Sequence, residues 1–201
     1  MDQADRVHKK VGCLPGDTLL LDLGGKMIIT NSQLREAFVS AQLKYYFDKK
    51  LAPMPSHEVD VLIEETLKFL NMATYLTGNI PVSKAIDEVW HYWILETQEY
   101  RTLCEKIGEG KFIHHVSNDY QEYADEDIAN HPMDLTQEVA ILSSYVLNFG
   151  PFELDRLQFW PLAERLMQYC ERDITKLNAW LSSASVQAPA EVAPALRRAT
   201  A

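Results

Sequence analysis

Asp87-Glu88-Val89-Trp90-His91-Tyr92-Trp93-Ile94-Leu95-Glu96-Thr97, continued by Tyr100 and Cys104, is the densest run of aromatic, ionisable and apolar side chains in the sequence. Its periodicity predicts the middle of one long helix, from about Val82 to Ile107. Pro81 and Ser83 stand where a helix start favours proline or a capping hydroxyl, and Gly108 stands just past the end. On a wheel of about 100° per residue, Ile86, Val89, Trp90, Trp93, Thr97, Tyr100, Leu103, Cys104 and Ile107 share one broad face. Asp87, His91, Ile94 and Gln98 share the opposite stripe, at helical spacings. An apolar face with a mixed stripe behind it predicts a central helix contacted on both sides. Asp87 and His91 are then neighbours one turn apart, both partly withdrawn from water.

Gly110-Lys111-Phe112-Ile113-His114-His115 follows at once. Turns at Gly108 and Gly110 allow this segment to fold back beside the helix just left. Three of the six histidines, His91, His114 and His115, thus fall in one short span. This is the one concentration of possible chemistry in the chain.

Outward from this centre, residues 1–16 are polar and predict a flexible N-terminus. Asp17–Thr30 reads as a β-hairpin turning at Gly24-Gly25. A phosphate loop at Gly24-Gly25-Lys26 is disfavoured, because the Walker spacing is absent and no Ser or Thr follows the lysine. Asn31 or Ser32 is expected to cap a helix to about Lys49, with Leu34, Phe38, Ala41, Tyr45 and Phe47 on or near one face. Ser56 is expected to cap a second helix, to about Leu76, ended by Gly78, with wide burial. Glu64 and Glu65 fall in its middle; one of them could face inward, but both are expected to be solvent carboxylates. Residues 117–133 are acidic and irregular and fail the EF-hand spacing; a solvated loop over the site is expected. Asp134 and Gln137 form a capping-box pattern for a helix through Val146, closed by Gly150. A last helical stretch from Pro151 to about Ser183 should be divided at Pro161. Its expected core face comprises Leu154, Leu157, Trp160, Leu162, Leu166, Tyr169, Cys170, Ile174, Leu177, Trp180 and Leu181. The Ala/Pro-rich residues 184–201 read as a disordered tail. The predicted architecture is mainly α: a single helical domain over 17–183, built around the helix of about 82–107, with a small N-terminal hairpin.

The 201 residues suffice for one domain with a real core. A formal net charge of −10 argues against binding driven by phosphate neutralisation, whether of nucleic acid or of anionic lipid. Cys13, Cys104 and Cys170 are odd in number, far apart and without a CxxC. They predict no disulfide framework and a reducing, cytoplasmic setting. No signal peptide and no bilayer-spanning run is read from the sequence.

The pattern Asp87…Trp90-His91…Leu95…Tyr100…Cys104, followed by Gly110-Lys111-Phe112-Ile113-His114-His115, resembles the glycine-rich domain-containing protein-like family. In that family an Asp-x-x-Trp-His-x-x-x-Leu segment leads through a Tyr and a Cys to a Gly-x-Phe-x-x-His element. The likeness covers about 87–115 and is looser over 60–86, where Lys68-Phe69-Leu70 and the Pro81 entry are also similar. With only eight glycines the chain looks like a compact bacterial form. Tyr92-Trp93 stands where a Thr-His or Thr-Phe pair often sits. Because the family is mostly without an assigned reaction, the resemblance implies a fold and a motif.

Two main readings suit the cluster, beside metal-free acid/base catalysis by the same groups. In the first, Asp87, His91 and one of His114 or His115 hold a metal: Fe(II), or alternatively Zn(II) or Mn(II), since two imidazoles and a carboxylate leave positions open. Asp87 is then either a ligand or the group that orients a ligating ring. The protein would be a small metal-dependent enzyme, oxygenase-like or hydrolase-like, acting on a small molecule or peptide. In the second, an Asp-held histidine is structural, and the protein is a helical interaction or accessory module with a protein partner. Trp90 and Trp93 are expected in the core. Cys104 is expected to be inert: it lies about 140° from His91 on the wheel, too far round to form a nucleophile pair. His8, His57 and His131 are expected at the surface.

Overall fold

Thr30 opens the first helix. Its hydroxyl accepts from the Gln33 N–H and the Gln33 side chain accepts from the Thr30 N–H, a reciprocal capping box. The computed structural model describes residues 30–76, 78–107, 112–115 and 133–187. The predicted hairpin, the acidic 117–133 loop except Met133, and residues 188–201 of the tail lie outside the described residues. What is described is mainly helical, with no strand.

Helix α1 is Asn31–Phe38 and α2 is Ala41–Lys50, so the single helix expected to Lys49 is two. Val39 is extended, a conformation that suits a β-branched residue, and Ser40 recaps the chain by accepting from the Leu43 N–H at 3.1 Å. The cap of α1 is Thr30 rather than Asn31 or Ser32. Leu34, Leu43 and Phe47 are buried, whereas Tyr45 points to solvent.

Helix α3, Ser56–Ala73, is the true centre of the fold; Ser56 is its first residue rather than its cap, and Pro55 precedes it with no side-chain cap bond. Every residue from Leu62 to Leu70 is buried, and α3 packs against α1, α2, α4 (Lys84–Leu95) and α6 (Leu135–Phe149). A helix apolar nearly all round must be covered all round. The helix expected to be central is instead interrupted. It forms α4, Lys84–Leu95, and α5, Thr97–Ile107, with Glu96 outside helical geometry at φ −88° and ψ 70°. Ser83 caps α4, and its N–H donates to the Phe159 carbonyl at 3.0 Å. Ile86, Val89, Trp90 and Trp93 face the core; Thr97 does not.

Helix α6 begins with Asp134 accepting from the Gln137 N–H at 2.8 Å. It ends at Gly150, whose φ of +87° only glycine adopts readily. Pro161 divides the stretch beyond Gly150, as expected. A 3-10 turn at Leu157–Phe159 ends at Trp160, and Pro161 then opens α7, Pro161–Leu166. A second 3-10 turn, Met167–Cys170, leads to α8, Ile174–Gln187, which lies along α6. Leu157, Trp160, Leu162, Leu166, Cys170, Leu177 and Leu181 are buried as expected, but Leu154 and Tyr169 are exposed. No described helix is long and apolar enough to cross a membrane.

Glu64 and Glu65 reverse the expectation of solvent carboxylates: both are buried, in company with Lys68 and Arg156. Withdrawing a charge from water costs several kcal/mol, so each of these groups needs partners. Glu65 Oε1 accepts from Lys68 Nζ at 2.7 Å and Arg156 Nη1 at 2.8 Å. Its Oε2 accepts from Trp160 Nε1 at 2.8 Å and the Tyr145 hydroxyl at 3.0 Å. Lys68 also donates to the Tyr145 oxygen at 2.7 Å. Glu64 accepts from Arg156 Nη2 at 2.9 Å and from Arg35. The network therefore joins α1, α3, α6 and the 157–160 turn through charged hydrogen bonds.

Burial pulls the Lys68 ammonium below its usual value, against the opposing pull of Glu65. Burial works against the Arg156 charge too, but its bonds and attraction to Glu65 and its bonds to Glu64 prevail and raise it. The Tyr145 hydroxyl is pushed far up, by burial first and by Glu65 next. An unfolded tyrosine ionises near pH 10 while Tyr145 in the fold keeps its proton, so the unfolded state binds fewer protons above that pH. Stability is then complete below about pH 10 and falls above it, by about 1.4 kcal/mol per pH unit from Tyr145. Lys68 acts with the opposite sign, but only up to about pH 10.5, where the unfolded lysine also deprotonates. Urea midpoints should therefore drop steeply beyond that point; a flat profile to pH 11 would contradict the buried placement of Tyr145.

Candidate functional site

Helical spacing puts Asp87 and His91 one turn apart on α4, on the side away from the core. The His91 Nδ1 lies 2.7 Å from the Asp87 backbone carbonyl and 3.4 Å from Asp87 Oδ2. A carbonyl only accepts, so Nδ1 carries a proton, and in the neutral ring Nε2 holds the free lone pair. The third member arrives from the segment 112–115. His115 Nε2 lies 3.0 Å from Asp87 Oδ1, and its ring packs edge-on against both Trp90 (4.4 Å between centroids) and His91 (4.2 Å). One ligand-type atom from each of Asp87, His91 and His115 falls within 4.8 Å of the other two.

The burial is uneven. The His115 side chain is 13% exposed, whereas Asp87 and His91 are 47% and 48% exposed. Asp87 and His91 are thus only half withdrawn from water: the 112–115 segment touches both through His115, and the cluster opens to solvent on their other side. His114 points away from it and is exposed, its ring against Phe112 at 5.1 Å. The structure brings together Asp87, His91 and His115 and leaves His114 out. Cys104 is buried, Trp90 and Trp93 lie in the core, and His57 is at the surface; His8 and His131 lie outside the described residues.

A further set of contacts supports the cluster from behind. The Trp90 Nε1–H donates to the Tyr100 hydroxyl at 2.9 Å, and that hydroxyl donates to the Ile113 carbonyl at 2.5 Å. Burial pushes the Tyr100 hydroxyl well above its ordinary value, so it stays a donor at neutral pH. The sequence held a signal for this: a tyrosine and a tryptophan on a buried face each need a partner for the polar tip.

The donor set is two imidazoles and a carboxylate with an open side. In the geometry present, a proton on His115 Nε2 satisfies Asp87 and leaves His115 Nδ1 as the free lone pair. In the other tautomer the ring proton sits on Nδ1, and Nε2 and the carboxylate are then both ligand atoms. The cluster can thus hold a metal with Asp87 as orienter or as ligand, and N,N,O ligation with open positions suits Fe(II), Zn(II) and Mn(II). No family model, curated protein or solved structure matches the chain. The resemblance to the glycine-rich domain-containing protein-like family accordingly rests on the 87–115 motif.

Proposed function

We propose that this protein is a small metal-dependent enzyme whose centre is Asp87, His91 and His115, acting on a small molecule or a peptide. The observation that carries the reading is the convergence of the three groups within 4.8 Å from two separate pieces of chain. Fe(II) is the favoured metal, with Zn(II) and Mn(II) as alternatives. Such a centre supplies either O2 activation or an acidified water. Around it, Trp90 walls the site behind His115, the His91 Nδ1–H bond to the Asp87 carbonyl fixes that ring's tautomer, and the exposed side of Asp87 and His91 admits substrate. The acidic chain is not expected to take a polyanionic substrate.

One observation favours a second reading. The Asp87–His115 hydrogen bond, with the Tyr100 bond to Ile113, would also latch the 112–115 segment onto α4 and α5 without a metal, as in a non-catalytic interaction module. Elemental analysis of untagged wild type and His91→Ala, before and after anaerobic reconstitution with Fe(II), separates the two. His91 is half exposed, so its replacement should change stability by no more than about 0.5 kcal/mol. Stoichiometric metal in the wild type that is lost in His91→Ala is the expected result. Wild type that takes up no metal under either condition would refute the enzyme reading and leave the latch.

A further inference from the structure

We infer that Tyr100 is a positioning residue for this centre, placing His115 within reach of Asp87 and His91; the inference rests on the metal reading above. Asp87 and His91 belong to one helical turn, and backbone hydrogen bonds set their spacing. His115 has no such support, since the described residues 112–115 are neither helix nor strand. Among the described residues its place depends on the buried side chain of Ile113, the Asp87 carboxylate, the ring contacts with Trp90 and His91, and the bond from the Tyr100 hydroxyl to the Ile113 carbonyl, two residues before His115.

The Tyr100 oxygen is donor and acceptor at once. It is 2.5 Å from the Ile113 carbonyl and 2.9 Å from Trp90 Nε1. The indole that donates to it is the same ring that packs edge-on against His115. The Tyr100 ring also meets Phe112 at 5.3 Å between centroids. One buried hydroxyl therefore ties the arm carrying His115 to the helix carrying the other two groups. Without it, the Ile113 carbonyl and the Trp90 N–H both lose their partner in a buried place, and the arm loses its hydrogen bond to Tyr100. A ligating group must be held within about 0.5 Å of its productive position, so even a small shift of His115 costs affinity.

The test is a calorimetric titration with Zn(II) alone on wild type, Tyr100→Phe, His115→Ala and the double variant, well below the metal-free melting temperature of each. Tyr100→Phe should weaken Zn(II) binding about 10–100-fold, the usual effect of losing a group that supports a ligand. Because Tyr100 acts through His115, the same change should cost nothing further in the His115→Ala background. Losses that multiply in the double variant overturn the inference. So does a Tyr100→Phe protein that melts earlier but binds Zn(II) as tightly as wild type, which is the signature of a purely structural role. Trp90→Phe is the second variant, in case Tyr100→Phe does not fold. It keeps a ring beside His115 and removes the N–H that orients the hydroxyl, and its effect should likewise vanish without His115. Zn(II) binding that requires His91 and His115 but ignores Tyr100 defeats this inference alone. Wild type that binds no Zn(II) defeats the metal reading and this inference with it.

Discussion

Glu65→Ala should lower the unfolding free energy by about 3–5 kcal/mol, the range for breaking a buried ion pair by removing one partner. Glu65 is fully buried and accepts from Lys68, Arg156, Trp160 and Tyr145. Alanine would leave four donors in the interior without their acceptor, two of them on cations. The charge balance matters as much as the bonds. Glu64 and Glu65 offset Lys68 and Arg156 in the buried part of the network; with Glu65 gone the buried surplus is positive, and the exposed Glu153 on Arg156 remains to offset it from the surface. Glu65→Gln should fall between wild type and alanine, because one amide oxygen replaces two charged ones and the amide N–H2 group faces other donors. Glu105, paired with Arg101 in the open, is the control: Glu105→Ala should cost at most about 1 kcal/mol. Urea unfolding of the three variants at pH 7 decides the matter. If Glu65→Ala lost no more than Glu105→Ala, the network could not be what joins α1, α3, α6 and the 157–160 turn.

The same two glutamates show where the sequence is legible and where it is not. The breadth of the apolar arc around Leu62, Ile63, Leu67 and Leu70 is visible in the sequence, and it implies cover on every side. A lone mid-helix carboxylate is normally solvated, which is why Glu64 and Glu65 read as exposed despite that arc. Lys68, one turn beyond Glu65, is the local hint of pairing, but Tyr145, Arg156 and Trp160 are remote in sequence and only the fold assembles them. The Pro161 division, the Asp134 start and the Gly150 stop are legible because proline, a capping carboxylate and a left-handed glycine act locally. The breaks at Val39 and Glu96 carry neither glycine nor proline; the first is marked locally only by a β-branched residue before the capping Ser40, and the second has no such signal. Trp90 and Tyr100 would lie about 15 Å apart along an unbroken helix axis. With the helix interrupted at Glu96, the Tyr100 hydroxyl bonds to the Trp90 indole instead. Tertiary packing chose that break. For the site, the turn-spaced Asp87 and His91 are legible from period alone. The choice between His114 and His115 is not, since adjacent residues in an irregular segment face different ways for reasons set by the surrounding packing.

That choice makes a sharp contrast. His115→Ala should weaken Zn(II) or Fe(II) binding by more than the roughly 10–100-fold expected for a merely supporting group, since it deletes a donor outright. It should also soften the attachment of the 112–115 arm, because Asp87 loses its hydrogen-bonded partner at 3.0 Å. His114→Ala should leave metal affinity unchanged and stability within about 0.5 kcal/mol, because the ring is exposed and touches only Phe112 among the described aromatic contacts. The rings are one residue apart and identical in chemistry, so non-specific surface chelation would treat them alike. A built centre would not. Calorimetric titration of both variants beside wild type reads the difference directly. Equal losses from the two would argue for adventitious histidine binding, and a loss from His114→Ala alone would move the ligand to the exposed ring and undo the assignment of His115.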